Sequence, residues 1–214
     1  MDIIGLLTKF SQEIGRFFKH NFQLWLGLIR NPVEVLKQVD LNSDEVLYHS
    51  LGLAAFVYLV CLAIALPPQF TGDTPPGLPT LAAFVFDAIT QFLGFGSVGL
   101  ALLISGRVLG ARTRPTACFS TGFLMTAAWP FLQLYDWVPN SALQESLTPE
   151  GQLALFGAVF MAVIGFALYW AAPIVAYVHK FGRARAILAT FLQLFLIGAI
   201  WFNFLQDRFP AFGL

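Results

Sequence analysis

Residues 78–106 read LPTLAAFVFDAITQFLGFGSVGLALLISG, and residues 107–114 follow as RVLGARTR. The first stretch carries one charge, Asp87, and the second carries three arginines. A helix needs about 20 apolar residues to cross a hydrocarbon core. A run of this length, closed by a basic loop, therefore reads as a membrane-spanning helix with its end fixed in water. Four further runs have the same character, at 46–66, 117–138, 153–177 and 186–205. The chain is thus expected to be an all-α polytopic membrane protein with five transmembrane helices in a domain covering 46–206.

Composition supports the same class. Of 214 residues, 57% are hydrophobic and 11% are charged, with a mean hydropathy of +0.72. A soluble domain carries roughly 25% charged residues, so lipid has to be the solvent for most of this surface. Lys+Arg and Asp+Glu balance at 12 each, which gives no reason to expect a nucleic-acid partner. Their placement is informative. Lys9, Arg16, Lys19, Arg30 and Lys37 precede the first span. Arg107, Arg112 and Arg114 lie between the second and third, and Lys180, Arg183 and Arg185 between the fourth and fifth. Only Arg208 falls on the other side, beside Asp73, Asp136, Glu145, Glu150 and Asp207. Basic residues favour the cytoplasmic side, so five spans predict a cytoplasmic N-terminus and an external C-terminus.

Residues 1–45 form a different kind of segment. In IIGLLTKFSQEIGRFFK (3–19), Ile3, Leu7, Phe10, Ile14, Phe17 and Phe18 recur at helical spacing, with the polar residues mainly opposite. Such a helix lies in the interface plane. The run 22–29 is too short to cross. Asn31, Pro32 and Glu34 read as an N-cap, first-turn proline and third-position acid opening a second short helix. The mixture of charge and apolar residues in the first thirty positions does not resemble a signal peptide, and the segment is expected to be retained. Pro67-Pro68 are expected to stop the first span.

Chemistry-bearing patterns are sparse. Gly94-Phe95-Gly96-Ser97-Val98-Gly99 matches G-x-G-x-x-G, but a dinucleotide site needs a strand before it and a helix opening at the glycines. Inside an apolar run, the small residues instead suit close helix approach, as do Gly106 and Gly110. Asp87 lies about eight residues from the outer end, roughly 12 Å along a helix. Either it serves a binding or proton-linked role, or it is an inward acid hydrogen-bonded to neighbours such as Gln91. Pro130, after Trp129, should kink the third span for packing or as a hinge. The aromatic residues, among them Trp25, Trp137, Trp170, Trp201, Tyr48 and Tyr169, read mostly as an interfacial belt. His20, His49 and His179 read as solvated near the cytoplasmic surface. Cys61 and Cys118 sit at different depths, so no disulfide is expected, and no spacing suggests a metal site or a cofactor. Catalytic motifs such as H-E-x-x-H and G-x-S-x-G are missing, so an enzyme is not expected. The basic face of Arg107, Arg112, Arg114, Lys180, Arg183 and Arg185 is a candidate contact for anionic lipid or an acidic partner.

The order of these features resembles the Yip family, the Ypt/Rab-interacting membrane proteins and their bacterial relatives. A short segment with a helix-opening proline, LIRNPVEVLKQV, precedes five spans. The stretch ISGRVLGARTRPTACFSTGFLMTAAWPFL (104–132) is similar to that family's small-residue helix end, basic loop and proline-bearing helix. The resemblance covers roughly 24–206 and implies no catalytic residues. Eukaryotic members have long cytosolic tails and roles in GTPase recruitment; the short lead here looks more like the bacterial branch. The expected function is a non-enzymatic membrane scaffold or accessory subunit, partnered by membrane lipids and by another membrane protein or itself. The alternative is a transporter or lipid-handling protein with a site near Asp87, Gln91 and Pro130.

Overall fold

The structure, a computed structural model, describes residues 3–69, 81–131 and 147–200. Among the described residues every regular element is helical: α1 (Ile3–Arg30), α2 (Pro32–Lys37), α3 (Asp44–Gln69), α4 (Leu81–Val108), α5 (Pro115–Met125), α6 (Pro149–His179) and α7 (Arg183–Ile200). Four of these hold a segment long and apolar enough to cross a membrane: Asp44–Ala63 in α3, Ala88–Val108 in α4, all of α6 and all of α7.

The expected third span, 117–138, takes another form. α5 has only 11 residues and passes into a 3-10 turn at Thr126–Ala128. Pro130 explains the break, because it has no N–H for the Thr126 carbonyl and its ring crowds that oxygen. Trp129 N–H reaches Thr126 O in the tighter turn instead. Helix resumes through 129–131; residues 132–138 lie outside the described residues, as do 78–80 and 201–205 of the expected spans. Pro67 and Pro68 do not end α3 before them, since its bounds run to Gln69.

The N-terminal segment is one 28-residue helix that takes in both 3–19 and the run 22–29. Asn21 is absorbed by bonding its side-chain nitrogen to Phe17 O at 2.9 Å, a local bond that leaves the helix intact. Phe18 and Trp25, about two turns apart, both pack on the Phe56 ring of α3. With His20 beside His49 and Trp25 beside Phe56, α1 follows α3 over about two turns. Two indoles tie it down: Trp25 Nε1 donates to Ala127 O at 2.7 Å, and Trp170 Nε1 of α6 donates to Leu28 O at 2.9 Å. These tryptophans serve as internal ties, whereas Tyr48 and Tyr169 are exposed as a belt requires. Pro32 opens α2 as expected, but Asn31 makes no side-chain cap bond. Glu34 pairs with Lys37 at 2.6 Å and, by that hydrogen bond, holds the ammonium above its ordinary pKa.

Helix α4 packs chiefly on α5 and α7, and α6 on α7. The α4–α5 seam is built on glycine. A β-carbon on Gly122 would collide with the backbone of Gly99, and one on Gly99 would strike Phe119. Backbones this close need small residues on both sides. Polar side chains in the helices mostly bond back to their own turn: Ser97 to Gly94 O, Ser105 to Leu102 O and Thr190 to Ala186 O. Cys61 and Cys118 are buried and free.

Candidate functional site

One end of the bundle gathers the basic residues. α4 runs into Arg107 and closes on Gly110, whose φ of 85° is a left-handed conformation that glycine adopts freely. The Ala111 N–H then reaches Gly106 O at 2.7 Å, turning the chain back across the helix end. Arg112, Thr113 and Arg114 follow, and Pro115 opens α5. α6 arrives at the same end and is capped by Lys180 at φ 55°, with Phe181 N–H on Ala176 O at 3.0 Å.

His179 locks these ends together. It is buried, contrary to the solvated reading. Its Nδ1 lies 2.8 Å from Thr113 Oγ1 and its Nε2 lies 3.1 Å from Leu102 O. A carbonyl only accepts, so Nε2 donates, and in the neutral ring Nδ1 accepts from the Thr113 hydroxyl. The ring fills the space over Gly106, where a β-carbon would collide with it. Phe181 packs on its other side at 5.2 Å between centroids. Gly106 is thus used against a histidine, and Gly110 for its turn, rather than as a helix–helix pair.

Around this lock lies a cleft of about 740 Å³ whose lining includes Asp40, Asn42, Arg112, Thr113, Arg114 and Lys180. Three cations face one carboxylate there, and Asp40 Oδ1 already accepts from Asn42 N–H at 3.1 Å. Among the described residues the ion pairs are Glu13–Arg16 and Glu34–Lys37, so no described carboxylate neutralises these cations. Arg107 is exposed and donates to Thr113 O at 3.4 Å. Arg185 sits 5.5 Å from the Phe181 ring centroid. Arg183 lines a second hollow of about 520 Å³ between α6 and α7, with Leu168, Tyr169, Ala172, Pro173 and Ala176.

The candidate basic face is therefore brought together, but unequally: Arg112, Arg114 and Lys180 share one cleft. The other candidates are not joined to it. Gln91 is half-buried on α4 and Pro130 is buried at the α5 break. Asp87 belongs to α4, but its side chain lies outside the described residues. Neither hollow is lined by Gln91 or Pro130. Among the described residues, no group of three His, Cys, Asp or Glu is placed to hold a metal ion. The residue that sequence reasoning missed is His179; nothing in HKFG distinguishes a ring turned inward from one in water. The chemistry available at this end is anion binding. Compared with family models, curated proteins and solved structures, the chain matches none of them.

Proposed function

We propose that the chain is a non-enzymatic scaffold or accessory subunit of the Yip type in a bacterial inner membrane, working through its basic end. The observation that carries this reading is the convergence of Arg112, Arg114 and Lys180 on one open cleft with a single carboxylate in its lining. Such a surface recognises anionic lipid or an acidic segment of a membrane partner. Five spans with this end in the cytoplasm are supported by the meeting of helix ends: α4 and α6 finish where α5 and α7 begin. α1 lies at the interface in this reading. Its Phe10, Ile14, Phe17, Phe18 and Phe22 recur at helical spacing and remain exposed, Phe18 beside its contact with Phe56.

Photo-crosslinkers placed at Arg112 and Lys180 in cells should capture a discrete partner, either another membrane protein or a second copy. A chain that yields no adduct from either position and purifies as a monomer would sink the subunit reading. The transport alternative around Asp87 and Pro130 draws no support from either hollow.

A further inference from the structure

Two hollows of opposite character meet on α6. The polar cleft is lined by Ala176 and Lys180, and the apolar one by Leu168, Ala172 and Ala176. Ala176 lines both. Leu168, Ala172 and Ala176 are spaced by four along α6, so they form a single row on one face, and Lys180 caps the helix beyond it. The row begins in an apolar trough between α6 and α7, deepened by two alanines, and ends at a cation. Arg183, three residues after Lys180, also lines the trough. From the end of α6 at His179 back to Leu168 is about 16 Å, leading away from the basic end into the apolar length of α6.

We propose that the cleft and trough together seat one anionic glycerophospholipid, its phosphate between Arg112, Arg114 and Lys180 and an acyl chain along Leu168, Ala172 and Ala176. An acidic peptide would satisfy the cations but leave the apolar trough uncovered. A free anion would do the same. The headgroup-and-chain arrangement uses both hollows at once, and the net lining charge of the cleft, three cations against Asp40, selects an anionic head. The inference rests on the basic end being the working surface, but not on any protein partner.

The test uses the full chain in detergent and in phosphatidylcholine vesicles with or without phosphatidylglycerol, counting retained lipid by native mass spectrometry. Wild type should retain phosphatidylglycerol in preference to phosphatidylcholine. The triple variant Arg112→Gln, Arg114→Gln, Lys180→Gln should lose at least about tenfold of that preference. Lys180→Gln alone, on an exposed cap, should lose about fivefold and decides the matter if the triple variant does not fold. Ala176→Phe, which fills the junction without touching charge, should also reduce retention. Lys9→Gln, Arg16→Gln, Lys19→Gln removes equal charge from α1 and should leave retention unchanged. Equal loss in that control, or no loss in Ala176→Phe, overturns the proposal in favour of diffuse attraction or a bare headgroup site. Displacement of the lipid by inorganic phosphate overturns it in favour of a free-anion site. Repeating the crosslinking with these variants separates the two readings, because lipid retention without adducts leaves this inference standing and the subunit reading failed.

Discussion

Gly99 and Gly122 bring the backbones of α4 and α5 against each other, and Gly96, three residues from Gly99, has nothing within 4 Å of its would-be β-carbon. Gly122→Val should therefore cost about 1–3 kcal/mol through overpacking, whereas Gly96→Ala should stay within about 0.5 kcal/mol. Thermal melts of the two detergent-solubilised variants give the comparison. The small-residue motif 94–99 was legible in the sequence, but which of its glycines touches a neighbour was not, since that depends on the rotation of α4 against α5. His179 was less legible still. Its neighbours in sequence, Lys180 and Arg183, belong to water, while its ring faces Thr113 and Leu102, more than sixty residues away. His179→Ala and Thr113→Ala should each destabilise by about 1–2 kcal/mol. Their double mutant should fall short of the sum by about 1 kcal/mol, the coupling expected of hydrogen-bonded partners. Additive losses in a melt-based cycle would mean that the 2.8 Å contact carries no energy.

At the scale of elements, α5 shows how one proline reorganises a neighbour. Pro130 was recognised as a kink from its position in an apolar run, because its missing donor is a property of the residue itself. What the kink does was not recognisable. The 3-10 turn leaves the Ala127 carbonyl available to the Trp25 indole of α1, so a defect in one helix becomes the attachment point of another. Trp25→Phe keeps the ring that packs on Phe56 and removes only the donor. It should cost about 1 kcal/mol or more, because Ala127 O is then left without that partner, and chemical denaturation of the variant measures it. α1 continues from the amphipathic stretch 3–19 through the run 22–29. The spacing within 3–19 does not say where the helix stops, and at Asn21 the side chain bonds back to Phe17 O with the helix unbroken.

For the whole molecule, the arrangement turns on whether the segment beginning with α5 counts as a crossing. With five crossings the termini lie on opposite sides of the membrane; with four they share one. An alkaline phosphatase fused after Leu214 should be active and a fluorescent protein at the same site dark, if the C-terminus is external. The reverse result would remove the five-span reading and the charge separation behind it. Hydropathy and charge order by themselves determined that the described residues are helical, that four of the apolar runs hold segments fit to cross a membrane, and that the basic residues cluster between the second and third and the fourth and fifth runs. Those are consequences of local composition: a polypeptide in hydrocarbon must satisfy its backbone within each segment, so each segment announces itself. Only the tertiary structure decided that Arg112, Arg114 and Lys180 share a cleft, that His179 turns inward to bind the loop above it, and that Ala176 joins a polar hollow to an apolar one. Those depend on how helices rotate and where they cross. That geometry is set by glycine contacts and by a proline break acting between residues far apart in the chain, and no single stretch of sequence contains it.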